Sequence, residues 1–257
     1  MRIAAVRYIN ALPLIFGLRK NPAVTLSYET PSDYYEKLIR AEVDVGLIPV
    51  IGTQTNPTIR GVRGLGIASS ERSESVYVFA KKSLDRIQSV ATDSGSLTSV
   101  MLFRILLQQK YCNAPRLVSQ PIENIHQTLR EYDAVLVIGD AAILTEKTDY
   151  DHYDLATEWY SLTGLPFVFA IWAANRVLSD FEQHVLQQAY QQATQNWEEI
   201  YREAQGILNV NRRFLKRYYN VNLRYRLRKS DYEGMLKFFS SAADLGLIEY
   251  VRKDIWM

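Results

Sequence analysis

The sequence holds a single cysteine, Cys112, among 257 residues, which excludes a disulfide framework and any cysteine-based metal centre. Its three histidines, His126, His152 and His184, share no metal-ligand spacing. Neither a P-loop nor a G-x-G-x-x-G run occurs, so no nucleotide is indicated. The G-x-S-x-G nucleophile elbow is missing too, since Ser75 is flanked by Glu74 and Val76. No stretch reaches the roughly 18 uncharged residues of a membrane span. The apolar run Ile3–Val6 stops at Arg7, short of the about 7–15 apolar residues of a secretory signal. These absences lead us to expect a cytoplasmic protein that needs no metal and no organic cofactor.

Charge of one sign is also lacking. Thirty basic residues face 28 acidic ones for a net charge of +2, too balanced for a surface selected for nucleic acid or membrane. The one local excess lies between 204 and 230, where Arg212, Arg213, Lys216, Arg217, Arg224, Arg226, Arg228 and Lys229 occur without an acid. No nucleic-acid reader motif accompanies them. We read the stretch as the solvated face of C-terminal helices, with Phe214, Leu215, Tyr218 and Tyr219 turned inward.

What is present is an alternation of short apolar strands with longer helical patterns, the α/β signature. Strands are expected at Ile3–Val6, Val24–Tyr28, Val43–Ile48, Gly64–Ala68, Ser75–Lys81, Val90–Thr92, the wholly apolar 134–138 run and Leu165–Ala174. Helices are expected from Asn10 to Leu18 with Asn10 as N-cap, from Ser32 to Ala41, from Ser99 to Tyr111, and throughout the chain beyond Asp180, with breaks at Gly206 and 219–223. Two lobes joined near residues 80 and 170 fit this order best. Residues 1–80 and 175–257 would form a discontinuous first lobe and 81–174 the second, with a ligand in the cleft between them.

Three strand-to-helix turns carry small polar residues: Tyr8-Ile9-Asn10, the run Ser94-Gly95-Ser96-Leu97-Thr98-Ser99, and Gly139-Asp140. Free backbone N–H groups and the helix dipole make such turns suitable cradles for carboxylates. The expected binding residues are therefore Ser94, Ser96, Thr98, Ser99, Gly139 and Asp140. Asp140 is either a base or, more commonly for an Asp after an apolar strand, a helix N-cap. No acid/base pair stands out, and His152 reads as part of a Tyr/Asp-rich loop.

Six blocks, in this order and spacing, resemble the chorismate dehydratase family of the futalosine route to menaquinone. They are Val6-Arg-Tyr-Ile-Asn-Ala-Leu-Pro-Leu14, Asp44-Val-Gly-Leu-Ile-Pro49, Ser75-Val-Tyr-Val-Phe79, Thr98-Ser-Val100, Ile138-Gly-Asp-Ala-Ala142 and Trp159-Tyr-Ser-Leu-Thr-Gly-Leu-Pro-Phe-Val-Phe-Ala-Ile-Trp172. The likeness runs from Arg2 to at least Arg176, and the last block is its most specific part. It implies a type II periplasmic-binding-protein-like α/β fold and a cytoplasmic enzyme that removes water from chorismate. It also implies active-site roles for Asn10 and Ser75. Two segments depart from the family pattern. Ser94-Gly-Ser-Leu replaces a small residue plus Arg before the Thr-Ser pair, and Ile51-Gly-Thr-Gln is less acidic and aromatic. A non-catalytic solute-binding relative of the same fold is the alternative. The sister enzyme 1,4-dihydroxy-6-naphthoate synthase is disfavoured, because its Ser-Pro-Cys-Pro-Asn-type opening is replaced by Tyr8-Ile-Asn-Ala-Leu-Pro.

Overall fold

The computed structural model describes residues 1–28, 31–93, 95–147 and 150–257; the expected binding residue Ser94 lies outside the described residues. The chain opens with β1 (Arg2–Ala5), α1 (Leu12–Ile15), β2 (Thr25–Tyr28), α2 (Pro31–Ile39), β3 (Val45–Pro49), α3 (Gly52–Thr55) and β4 (Arg60–Ser69). It continues through β5 (Val76–Ala80), β6 (Ser89–Thr92), α4 (Leu97–Gln109), β7 (Arg116–Ser119), α5 (Ile125–Glu131), β8 (Ala134–Ile138), α6 (Gly139–Leu144), β9 (Asp151–Asp154) and α7 (Leu155–Thr163). The last part holds β10 (Phe167–Ala174), α8 (Asp180–Gln195), α9 (Trp197–Ile207), α10 (Arg212–Arg217), β11 (Leu223–Arg226) and α11 (Lys229–Asp244).

Two mixed sheets result. The first has the order β11-β4-β10-β3-β1-β2 and the second β7-β6-β8-β5-β9. Parallel pairing joins β1 to β2 and β3, and β6 to β7 and β8. The strands β10 and β5 run antiparallel to their neighbours. Every residue of β3, and all of β8 but Ile138, is buried, as expected for central strands covered on both faces. Strands from both ends of the chain build the first sheet, so the first lobe is discontinuous.

The crossings lie just ahead of the strands expected to form them. Ser75–Lys81 and Leu165–Ala174 were expected to bridge the lobes, yet β5 pairs within the second sheet and β10 within the first. The chain passes between sheets at 70–75 and 164–166 instead. The second passage turns on Gly164 (φ 70°), which caps α7, and is pinned by α11. A Cβ on Gly234 would stand 2.0 Å from the Pro166 carbonyl oxygen. Around it Trp159, Phe167 and Phe238 meet edge to face, and the Trp159 indole donates to Pro166 O at 3.2 Å. Within the Trp159–Trp172 block, Trp159, Phe167, Val168, Ile171 and Trp172 thus become core.

Other expectations need correction. Instead of one helix from Asn10 to Leu18, a 3₁₀ turn, the single turn α1 and a second 3₁₀ turn follow one another. Asn10 sits inside the first of them and caps nothing, because tertiary contacts rather than a helix hold its backbone. His152 belongs to β9, an edge strand whose exposed residues disguise it as a loop. Gly206 is no break, for α9 runs through it. The segment 223–226 is a strand, its Leu223 and Tyr225 buried while Arg226 is exposed. On α2, Leu38 faces the core but Ile39 is 41% exposed.

Candidate functional site

A cleft opens between the two sheets, with about 660 Å³ of empty space when its open mouth is included. Asn10, Ser75, Ser96, Thr98, Ser99 and Gly139 all line it. The structure thus brings together residues spread over 130 positions of sequence. Val6, Leu47, Pro49, Ile67, Phe169 and Leu223 supply an apolar wall. Among the described lining residues there is no Lys, Arg or His.

Asn10 is held from beneath. The Tyr219 hydroxyl donates to Ile9 O and the Tyr225 hydroxyl to Asn10 O, each at 2.9 Å. With its backbone fixed this way, the side chain is free to face the cleft. Its Oδ1 is buried and has no hydrogen-bond partner. A buried amide oxygen left unpaired costs about 1–3 kcal/mol, so the fold tolerates it at a price that a ligand donor would remove.

Ser75 stands at the end of the first passage. Its neighbour Glu74 adopts φ 59°, a left-handed conformation rare for a residue with a side chain. The surroundings enforce it. The Asp154 carboxylate accepts the backbone N–H groups of Ser73 and Glu74 and the Ser73 hydroxyl, as well as the N–H groups of Ala156 and Thr157 that begin α7. The Glu74 carboxylate pairs with Arg72 at 3.0 Å, Arg217 at 3.1 Å and Lys147 at 3.2 Å, and accepts the Tyr77 hydroxyl at 2.9 Å. Backbone strain that persists under such constraint is a mark of functional sites. Ser75 Oγ itself donates only a 3.3 Å bond to Ser73 O.

The start of α4 forms the third wall. Its N-cap Ser96 accepts none of the helix's first N–H groups, and the Ser96 hydroxyl is buried without a partner. Free N–H groups at a helix start, together with the dipole, favour an anion. Thr98 Oγ1 instead accepts the Ile51 N–H at 3.4 Å.

Gly139 and Asp140 do something other than expected. The Gly139 N–H is taken by Ser75 O at 2.7 Å, and its φ of 63° lets it pack against the Tyr8 ring, which a Cβ would approach to 3.1 Å. Asp140 is not an N-cap, since Ile138 occupies that position. Its Oδ1 accepts the Ile9 N–H at 3.0 Å, a bond that ties the second lobe to the first. Burial pushes its pKa up to about 6, against the opposing effect of that hydrogen bond.

Tyr8, from the expected Tyr8-Ile9-Asn10 turn, lines the cleft, whereas the parts played by Tyr219, Tyr225 and the Asp154 and Glu74 clusters carry no signal in the local sequence. Tyrosines 218 and 219 were seen as inward-facing but not as parts of a site. The basic stretch they belong to is spent partly on internal pairs, Arg217 with Glu74, Arg224 with Asp231 and Arg212 with Glu198.

A family profile described as menaquinone biosynthesis matches residues 1–244. The chain belongs to that family. It is 30% identical over 93% of both chains to the chorismate dehydratase of Thermus thermophilus. Among solved structures, protein AF1704 from Archaeoglobus fulgidus superposes with a TM-score of 0.79 at 20% identity, covering 96% of this chain and 98% of that one. The periplasmic aliphatic sulphonate binding protein SsuA from Escherichia coli superposes with a TM-score of 0.64 at 14% identity, covering 100% and 92%. The expected periplasmic-binding-protein-like fold is borne out. Among the described residues no helix is long and apolar enough to cross a membrane.

Proposed function

We propose that this member of the menaquinone biosynthesis family is a chorismate dehydratase, a hydro-lyase that converts chorismate to 3-[(1-carboxyvinyl)oxy]benzoate. The observation that carries the reading is the meeting of Asn10 and Ser75 in one cleft, Asn10 with a buried and unpaired side-chain oxygen. The 30% identity to a chorismate dehydratase supports it.

Dehydration needs a ring C–H proton removed and the neighbouring hydroxyl expelled, after which the ring is aromatic. One carboxylate of chorismate would rest at the start of α4 on its first helical N–H groups and on the Ser96 and Ser99 hydroxyls. A substrate carboxylate takes the proton, which suits a cleft whose described lining residues include no carboxylate side chain. Asn10 Oδ1 accepts from a substrate hydroxyl, and Ser75 donates to the departing oxygen. The lost hydroxide combines with the proton that left carbon, so water is the only by-product. The low-dielectric apolar wall strengthens each of these bonds, and the protein contributes mainly orientation and desolvation. This reading puts the protein in the cytoplasm, with a small molecule as its partner and neither nucleic acid nor membrane. We further propose that the two lobes, one built on each sheet and joined at 70–75 and 164–166, close on the substrate by hinge motion.

Incubation with chorismate, followed by ultraviolet absorption and mass, tests the assignment. Appearance of the aromatic enolpyruvyl ether is expected. Binding of chorismate without product would leave a solute-binding protein and overturn the enzymatic reading.

A further inference from the structure

The turn that carries Asn10 takes its cap from the other lobe. Residues Ile9–Ala11 form a 3₁₀ turn whose N-cap residue, Tyr8, gives it no side-chain hydrogen bond. The Ile9 N–H at its start goes instead to Asp140 Oδ1 at 3.0 Å, 131 residues away in the chain and in the first turn of α6. Ile9 is 0% exposed, so water is no ready substitute, and a buried N–H without an acceptor is costly.

The same start of α6 also holds Ser75. The antiparallel pairing of β5 with β8 runs to Val76 opposite Ile138. One step further, the Gly139 N–H donates to Ser75 O at 2.7 Å. Gly139 lies so close to the Tyr8 ring that a Cβ would come within 3.1 Å of it. Tyr8-Ile9 thus meets Gly139-Asp140 across the cleft, ring on glycine and amide on carboxylate. Asn10 follows Ile9 directly, so two hydrogen bonds connect the Asn10 turn through Asp140 and Gly139 to Ser75. Tyr219 and Tyr225, which hold the Ile9 and Asn10 carbonyls, belong to the first lobe and cannot set a distance across the cleft.

Shape alone does not account for a carboxylate at this place. Asp140 is half-buried, and among the described residues the Ile9 N–H is its one hydrogen-bond donor. Burial raises its pKa more than that bond lowers it, so at neutral pH the charged group lowers the stability of the folded chain. Natural proteins accept such losses where activity depends on the residue. Gly139 lines the cleft and Asp140 does not, so any effect of Asp140 on a ligand is indirect.

We infer that Asp140 is the positioning residue for Asn10: by capping the Ile9–Ala11 turn from the second lobe, it holds the Asn10 amide at a fixed distance from Ser75. The bond exists only with the lobes together, so Asn10 reaches its working position only in the closed cleft. Asp140 makes no bond to the substrate and transfers no proton. The inference rests on the dehydratase reading and deepens it.

The test uses the full chain with Asp140→Ala, Asp140→Asn, Asn10→Ala, and Asp140→Ala combined with Asn10→Ala. Melting temperature, kcat and KM for chorismate are measured on each. In Asp140→Ala, kcat should fall about tenfold or more while KM changes less than about threefold, because the start of α4 still binds and only Asn10 loses its aim. Asp140→Asn keeps an oxygen for the Ile9 N–H and should keep most of the wild-type kcat. In the Asn10→Ala background, Asp140→Ala should cost nothing further, the signature of one residue acting through the other. An unchanged kcat in Asp140→Ala, an equal loss in both backgrounds, an Asp140→Asn as slow as Asp140→Ala, or a loss that merely tracks a lower melting temperature would each overturn the role of Asp140 and leave the dehydratase reading standing. A wild-type protein without turnover would overturn that reading and this role with it.

Discussion

The cleft and the hinge behind it treat polar groups in opposite ways. In the hinge, the Asp154 carboxylate gathers four backbone N–H groups and a hydroxyl, and Glu74 gathers three cations and a phenol. In the cleft wall, the Asn10 side-chain oxygen and the Ser96 hydroxyl are buried with no partner. Buried polar atoms normally find partners because leaving them bare is costly. The difference teaches where shape is kept and where a ligand is awaited: dense bonding fixes the first passage, while the cleft wall keeps two buried polar atoms, Asn10 Oδ1 and Ser96 Oγ, for a ligand.

Substitutions in the hinge should then cost stability in proportion to the bonds they break. The largest effect is expected from Asp154→Ala, which strips the acceptor from donors at the first passage and at the start of α7. Charge-assisted hydrogen bonds contribute about 1.5–3 kcal/mol each, so chemical denaturation should reveal a loss of at least about 3 kcal/mol. Gly234→Ala comes next, because its methyl would collide with the Pro166 backbone at the second passage. Overpacking against main chain should lower stability by roughly 1–3 kcal/mol, read from the same denaturation curves.

Asp140→Asn should move in the other direction. The carboxyl's folded pKa of about 6 exceeds its ordinary 3.8, so the folded protein holds the proton longer than the unfolded chain. Wild-type stability therefore falls as pH rises from about 4 to 6 and stays reduced above. An amide keeps an oxygen to accept the Ile9 N–H but carries no charge. Melting curves should place the variant higher by about 1–2 kcal/mol at pH 7.5, allowing for partial exposure, with the gap closing toward pH 4.

The smallest effect is expected at Glu74→Gln. Burial pushes the Glu74 carboxyl up, but Lys147, Tyr77 and Arg72 together hold it below its ordinary value. Its contribution is thus present above that value and lost as pH falls through the lowered one. Arg72 and Arg217 are more than half exposed, so screening limits the loss to about 1 kcal/mol, shrinking further in high salt.

The sequence read well where one force acted alone. β3 and β8 are legible as apolar runs because both faces are buried, and the starts of α4 and α6 fall close to their small polar turns. Edge strands hid themselves. Half or more of the residues in Arg116–Ser119 and Asp151–Asp154 are polar, and Leu223–Arg226 is too short for its alternation to outweigh a run of basic residues. Asn10 and Ser75 were legible only through family resemblance, since nothing in their local pattern separates them from a cap and a turn. Arg217 and Asp154 reach Glu74 across 143 and 80 residues of chain respectively. No local pattern announces such partners, nor the left-handed backbone at Glu74.

Asn10→Ala and Ser75→Ala carry the comparison to its most direct test, with melting temperature, chorismate affinity and turnover measured on the same preparations. Asn10's unpaired oxygen bears no hinge bond and Ser75 Oγ only a 3.3 Å one to Ser73 O, so both variants should melt close to the wild type and still bind chorismate. Turnover should fall about 10²–10³-fold, the usual loss when one positioned hydrogen bond to reacting atoms is removed. Lower melting temperatures with near-normal turnover would contradict the account, showing that these residues hold the fold together and leave the chemistry to others.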